Sequence, residues 1–378
     1  MGEIYFDNSS TTKVCREAAD KVMEMMTENY GNPSSLHSLG FRAEQELNAA
    51  RDKVAARLGA RPEEIYFTSG GTESNNIALF GAAHARRKRG NRIVTTMIEH
   101  PSVLNTMKEL EKEGFEVIYL KPDVWGRIQP EQVYAAVTPD TILVSMMCVN
   151  NEVGSILPLQ AVPAAITAAK APALFHVDAV QAFGKLPLKP EKIKADLISI
   201  SAHKIHGPKG VGALYLKKGI HILPHAFGGG QEKNIRPGTE PLPQIAGFGA
   251  AVQALPDADA QLHRLRVLNA HCRAKLSEME GISINSPEDA LPFILSFSGG
   301  GIRSETMLHY LADREIYVSS GSACSKGKPS HVLTAMGLSH GRIDSSLRLS
   351  FSRYNTKEEI DLFIETLKTC FSELTKRV

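Results

Sequence analysis

The 378-residue chain has five cysteines, Cys15, Cys148, Cys272, Cys324 and Cys370, and no two of them form a CxxC pair. An odd, scattered set excludes a disulfide framework and a structural zinc site, and it favours a reducing compartment. No charge of one sign dominates: 43 Lys and Arg face 41 Asp and Glu, for a formal net charge of +2. That balance leaves no electrostatic footprint for nucleic acid or an anionic membrane. No apolar run is long enough to span a bilayer, and the first residues, Met1 to Asp7, carry no basic-then-apolar signal. The expectation is a cytoplasmic protein that binds neither membrane nor nucleic acid. Repeats, low-complexity tracts and flexible linkers are also absent.

What remains is an ordinary globular composition, 43% hydrophobic and 22% charged. The length suggests about two domains. Apolar strands over 65–67, 92–96, 116–120, 141–148, 173–177, 197–201 and 212–216 alternate with helical segments, the pattern of a mostly parallel sheet sandwiched by helices. Residues 42–58 have helical spacing, with Ala43, Leu47, Ala50, Val54 and Leu58 on one side, and 242–279 reads as largely helical. The remainder reads as strand (293–297), helix (304–314), a Gly/Ser loop (319–328), strand (347–351) and a terminal helix (357–376). The predicted fold class is therefore α/β: a large domain over 14–255, and a smaller α+β domain formed by 1–13 and 256–378.

Chemistry-bearing residues recur at the predicted strand ends. Lys204 follows the apolar run 197–201 and precedes a Pro/Gly turn. A buried lysine sheds its charge easily and can form a Schiff base with an aldehyde; a strand-end lysine can equally snorkel to solvent. The small residues of Thr68 to Glu73 join a strand to a helix, which suits either a phosphate cradle or a simple N-cap. His100 ends a strand before Pro101; it could stack on a planar ring or move protons, or be structural. Asp178 lies where open α/β sheets bind ligands. It could hold a pyridinium proton, with Gln181 near a phenolic oxygen, or merely cap the next turn. Taken together, cradle, histidine, aspartate and lysine specify pyridoxal 5'-phosphate. A metal site from His37, His100 and His176 has no ligand spacing to support it.

A second candidate site is the Gly/Ser loop around Cys324, where Lys326 and Lys328 favour thiolate and a mobile loop lets a thiol reach and deliver. Cys148, inside an apolar run, reads instead as a small hydrophobe. Arg348 is a candidate clamp for a substrate carboxylate, although strand arginines are mostly surface charges.

The motifs DNSSTT, GNPSS, FTSGGTESNN, EHPSVL, VNNEVG, HVDAVQ, SAHKIHGPKG, GGGQE, RPGT, SSGSAC, PSHVL and SLRLSFSRYNT run nearly end to end. In these the chain resembles the cysteine desulfurases of the NifS/IscS-like class, fold-type I enzymes that use pyridoxal phosphate. The resemblance implies that Lys204 carries the cofactor covalently, His100 stacks on its ring, and Asp178 pairs with the ring nitrogen. It places Gln181 and Asn151 near the phenolic oxygen, and Gly71, Thr72, Ser201 and His203 at the phosphate. Thr239 would reach the phosphate of the other subunit of a homodimer. Arg348 would bind the carboxylate of L-cysteine, with Asn32 and Asn151 helping.

The implied reaction gives L-alanine and a persulfide on Cys324, with His100 and Lys204 as proton shuttles. The sulfur would pass to an acceptor protein, an iron–sulfur scaffold or a thiolation enzyme. Ser10 stands where such sequences usually have alanine, and Pro237 where they have serine. The segment after Cys324 is about two residues shorter than usual, which changes how far the thiol reaches. Selenocysteine lyase, another β-eliminating or transaminating enzyme, and a non-catalytic scaffold are the competing readings.

Overall fold

Seven short strands dominated by Ile, Leu, Val and Phe pair into one sheet. Across the sheet they run Ile65–Thr68, Gly212–Leu216, Leu197–Ser201, Leu174–Asp178, Thr141–Ser145, Arg92–Thr96 and Glu116–Leu120. Gly212–Leu216 is antiparallel to both of its neighbours, and the other pairs are parallel. All seven predicted strands are present. The chain is described here, in a computed structural model, over residues 2–299, 301–320 and 329–374.

Helices cover the sheet on both faces, so Thr141–Ser145, Leu174–Asp178 and Leu197–Ser201 are buried along their whole length. This explains their continuous apolar runs in place of an alternating pattern. Burying each Val, Leu or Ile contributes about 1.5–3 kcal/mol. Ser38–Leu58 buries the predicted face, including Ala43, Leu47, Ala50, Val54 and Leu58, and ends at Gly59 in the left-handed conformation.

Two expected elements are shorter. The strand read as 141–148 ends at Ser145; beyond it Met146 N–H still donates to His176 O (3.1 Å) and Cys148 N–H to Asp178 O (2.9 Å), while Cys148 O turns to accept Leu157 N–H (3.1 Å). The helical stretch 242–279 is two helices, Leu242–Gln253 and Ala258–Ser277. Pro256 has no N–H for a continuing helix, and the Asp257 side chain caps the second helix through Ala260 N–H.

A second sheet, Ser319–Ser320, Ser346–Ser350, Ile294–Gly299 and Ile282–Ile284, is antiparallel throughout. The N-terminal residues join the two sheets. Ile4–Tyr5 pairs in parallel with Ile316–Tyr317, and Ser350 N–H donates to Phe6 O (2.6 Å). A few residues on, Thr12 N–H donates to His203 O (2.9 Å), beside the end of the large sheet. Among the described residues no helix is long and apolar enough to cross a membrane.

At Gly212 the sheet and the loop before the next helix meet backbone to backbone. A Cβ there would lie 2.5 Å from Ile200 O and 2.7 Å from Gly70 Cα. Gly212→Ala is expected to cost about 1–3 kcal/mol through the forced backbone shift. Urea denaturation measures it, and an unchanged midpoint would contradict this packing.

Candidate active site

The carboxyl ends of these strands open into a cavity of about 400 Å³. Its lining includes Gly71, Thr72, His100, Asn151, Asp178, Gln181, Ser201, His203, Lys204 and Arg348. Ten of the positions singled out in the sequence are thus brought together, from segments far apart in the chain.

Lys204 sits in the short turn Ala202–Lys204 that follows the Leu197–Ser201 strand. Its Nζ donates to the carbonyls of Ser9 and Ser10 (2.7 Å for Ser10). It is partly buried and directed at the N-terminal segment, not splayed into solvent.

Asp178 is the last residue of its strand and is buried. One carboxylate oxygen accepts Val180 N–H (3.0 Å), as a turn cap would, while the other accepts Asn75 Nδ2 (2.8 Å). Asn75 Nδ2 also donates to Ser102 Oγ (2.9 Å), which lies 2.8 Å from His100 Nδ1. Ser102 N–H donates to the same ring nitrogen (3.2 Å), so Nδ1 is an acceptor and Ser102 O–H is a second donor to it. His100 also caps the helix Pro101–Lys112. Burial, with Lys204 and His331 nearby, holds its imidazole below the ordinary range. The neutral ring therefore carries its proton on Nε2. Asn75 and Ser102 escaped the sequence reading. The signal available was an asparagine on the inward face of an otherwise apolar helix.

The helix Gly71–Arg86 begins at the edge of the cavity. Ser201 Oγ is buried with no hydrogen-bond partner among the described residues, and even a Cβ built on Gly70 would stay 4.0 Å from it. Gly71 has no room for a side chain, since a Cβ would lie 2.6 Å from Val180 Cγ2. An unpaired hydroxyl beside free helix N–H groups suits an anion. His203 Nδ1 lies 3.2 Å from Thr11 Oγ1, and burial with Lys204 nearby pulls its pKa down to about 4.

Arg348 is buried in the Ser346–Ser350 strand, contrary to the surface reading of strand arginines. It donates to Asn151 O (2.8 Å), Asp7 Oδ1 (2.9 Å) and Ser10 Oγ (2.7 Å), and its Nε has no partner among the described residues. Ser10, noted in the sequence as a departure, thus meets the clamp directly. Gln181 donates from Nε2 to Ser9 O (3.0 Å).

The structure does not bring Asn32 or Thr239 to this cavity. Both are exposed, and Asn32 Oδ1 accepts Ser34 N–H (2.9 Å). Cys324, with Lys326 and Lys328, lies outside the described residues. The other four cysteines are free and buried, and burial pushes the Cys148 thiol up to about 12. His176 is fully buried between Ser145 Oγ (2.9 Å) and Ser199 Oγ (3.0 Å), and burial pulls it down to about 3. Among the described residues no group of three His, Cys, Asp or Glu side chains could hold a metal.

Two buried carboxyls also went unread: Glu152, in the cavity lining, and Glu99. Glu152 Oε2 accepts Ser330 O–H (2.5 Å), and Ser330 caps the helix His331–Ala335. Burial pushes Glu152 up to about 7. Glu99 accepts Thr96 O–H (2.8 Å) and Met147 N–H (2.9 Å) on one oxygen, while the other has no partner among the described residues. Burial pushes Glu99 up to about 8. The folded chain therefore keeps this proton where the unfolded chain has lost it. Its contribution to stability falls as pH rises from the ordinary carboxyl range to about 8. Glu99→Gln removes that dependence. Its denaturation midpoint should gain on wild type with rising pH and lead most at about pH 9. A difference that stays constant across this window would contradict the assignment.

The aminotransferase class-V profile matches residues 4–363. The chain is 42% identical over 375 residues to a protein named cysteine desulfurase IscS from Methanosarcina thermophila, covering 98% of this chain and 92% of that one. It is 44% identical over 379 residues to a NifS/IcsS protein homolog from Lactobacillus delbrueckii subsp. bulgaricus, covering 99% and 98%. Among solved structures, a NifS-like protein superposes with a TM-score of 0.92 at 40% identity, covering 99% of this chain and all of that one. A second, SspA in complex with cysteine, gives 0.82 at 35% identity over 93% of this chain and 100% of the other. With a profile match over nearly its whole length and relatives this similar, the chain belongs to the aminotransferase class-V family.

Proposed function

We propose that this protein is a cysteine desulfurase that uses pyridoxal 5'-phosphate to convert L-cysteine to L-alanine, passing the sulfur as a persulfide on Cys324 to an acceptor. The observation that carries the reading is the meeting of Lys204, Asp178, His100, Ser201 and Arg348 in one cavity. The residues present fit the cofactor: an unpaired buried hydroxyl and helix N–H groups for a phosphate, a carboxylate for a ring nitrogen, and a lysine amine for an aldehyde. When bound, pyridoxal phosphate supplies an electron sink for the pair left at the substrate Cα.

Each residue then has a definite task. Gly71, Thr72, Ser201 and His203 hold the phosphate, with Thr239 reaching it from the other subunit of a homodimer. Asp178 keeps a proton on the ring nitrogen, and Asn75 holds the carboxylate in place. Gln181 and Asn151 lie toward the phenolic oxygen. Lys204 anchors the cofactor and, once its amine is released, moves the Cα proton; His100 moves a second proton through Nε2. Arg348 takes the substrate carboxylate, with Asn32 assisting. Cys324 thiolate attacks the substrate sulfur: an S–S bond forms, the C–S bond breaks, and its electron pair stays with carbon, which is protonated to alanine.

A homodimer is supported by the exposed apolar side chains Met23, Met26, Tyr30, Leu36 and Phe41 on and between the first two helices. Free buried thiols suit a cytoplasmic setting, and the sulfur acceptor is an iron–sulfur scaffold or a thiolation enzyme.

Alanine formed from L-cysteine, with dithiothreitol as acceptor, tests the reading. Wild type should produce alanine and Cys324→Ala almost none; equal yields from both would remove the persulfide route. Arg348→Lys keeps the charge but loses the two-pronged geometry, and should raise KM for L-cysteine about tenfold or more. An unchanged KM would take the carboxylate away from Arg348.

A further inference from the structure

Lys185 is a buried lysine that none of these steps uses. Only 6% of it is exposed, and among the described residues no carboxylate lies within ion-pair distance. It stands four residues after Gln181 in a turn where Lys185 N–H bonds Ala182 O (3.0 Å), which puts the two side chains on one side. Lys185 Nζ donates to Gln181 Oε1 (3.2 Å) and lies over the Phe293 ring, 5.3 Å from its centroid. Lys185 and Lys204 also line the same small void, of about 10 Å³.

These contacts fix the orientation of an amide whose two ends are otherwise interchangeable. Ser9 O can only accept, so Gln181 must present Nε2 to it. Oε1 then needs a donor, and Lys185 supplies one. Lys204 donates to the same Ser9 carbonyl, so both lysines are joined through one carbonyl and one amide.

We infer that Lys185 is a positioning residue that locks the Gln181 amide with its N–H end toward the cavity, making Gln181 a donor to the cofactor's ring oxygen. This rests on the proposed cofactor site. A buried lysine is costly to keep, and its neighbours here are cations: Lys204 and Arg348 act with burial to bring its pKa down to about 7. His206, whose pKa burial pulls down to about 4, stays neutral and adds no further positive charge. The hydrogen bond to Oε1 gives this costly group a role that a buried apolar residue could not fill.

The test is an absorbance titration of the holoenzyme, following the proton shared between the ring oxygen and the Lys204 nitrogen. A donor on that oxygen, and a cation behind the donor, both favour loss of this proton. Lys185→Met should therefore raise the midpoint by about one pH unit, and Lys185→Arg, still a donor only, should return it toward wild type. Gln181→Glu, which offers the ring oxygen no N–H, should raise the midpoint similarly. Combining it with Lys185→Met should give less than the sum of the two shifts. Where Lys185→Met fails to fold, Lys185→Leu is read in its place; it too offers Gln181 no donor, so the midpoint should again rise. A loaded, folded Lys185→Met or Lys185→Leu with the wild-type midpoint would overturn the assignment alone. A wild-type protein that develops no cofactor band with pyridoxal phosphate would overturn the cofactor reading, and this inference with it.

Discussion

A mostly parallel sheet covered by helices on both faces leaves its polar side chains room at the ends of its strands. A buried polar side chain within it is costly unless hydrogen-bonded, as His176 is between Ser145 and Ser199. The charged groups that face the cavity collect where the strands stop. Asp178 ends its strand there, Lys204 follows another, and His100 caps the helix that follows a third. The bond from Asn75 to Asp178 ties the helix Gly71–Arg86 to that edge and continues through Ser102 to His100. One asparagine thus sets the geometry of a carboxylate and, through Ser102, the proton position on an imidazole.

The second constraint is closure by the chain's own beginning. Residues 7–12 lie between the sheets: Asp7 and Ser10 meet Arg348, the Ser9 and Ser10 carbonyls accept from Lys204, and Thr12 bonds His203 O. The candidate substrate clamp from the small sheet and the candidate cofactor lysine from the large one are therefore positioned by the same short segment. Ser10 in place of a smaller residue adds a hydroxyl that accepts from Arg348 (2.7 Å).

The sequence made the large sheet legible because strands buried on both faces are continuous apolar runs, and their ends carry conspicuous polar residues. Lys204, Asp178 and His100 could be found this way. The smaller strands Ile282–Ile284, Ile316–Tyr317 and Ser319–Ser320 are too short, at two or three residues, to leave such a signal. The break after Gln253 was readable at Pro256 but hidden by apolar spacing on both sides. Asn75, Ser102, Glu99, Glu152 and Lys185 were invisible for another reason. Each is an ordinary polar residue whose importance comes from burial, and burial is set by elements distant in the chain. Asn32 and Thr239 rest on resemblance alone, since nothing within a single chain draws them to the cavity.

The central claim is that Lys204 is the amine that binds pyridoxal phosphate. It is tested most directly by loading the purified protein with the cofactor, reducing with borohydride and mapping the modified peptide. The account predicts one phosphopyridoxyl adduct, on Lys204. An adduct on Lys185 or any other lysine instead, or none at all, would contradict it.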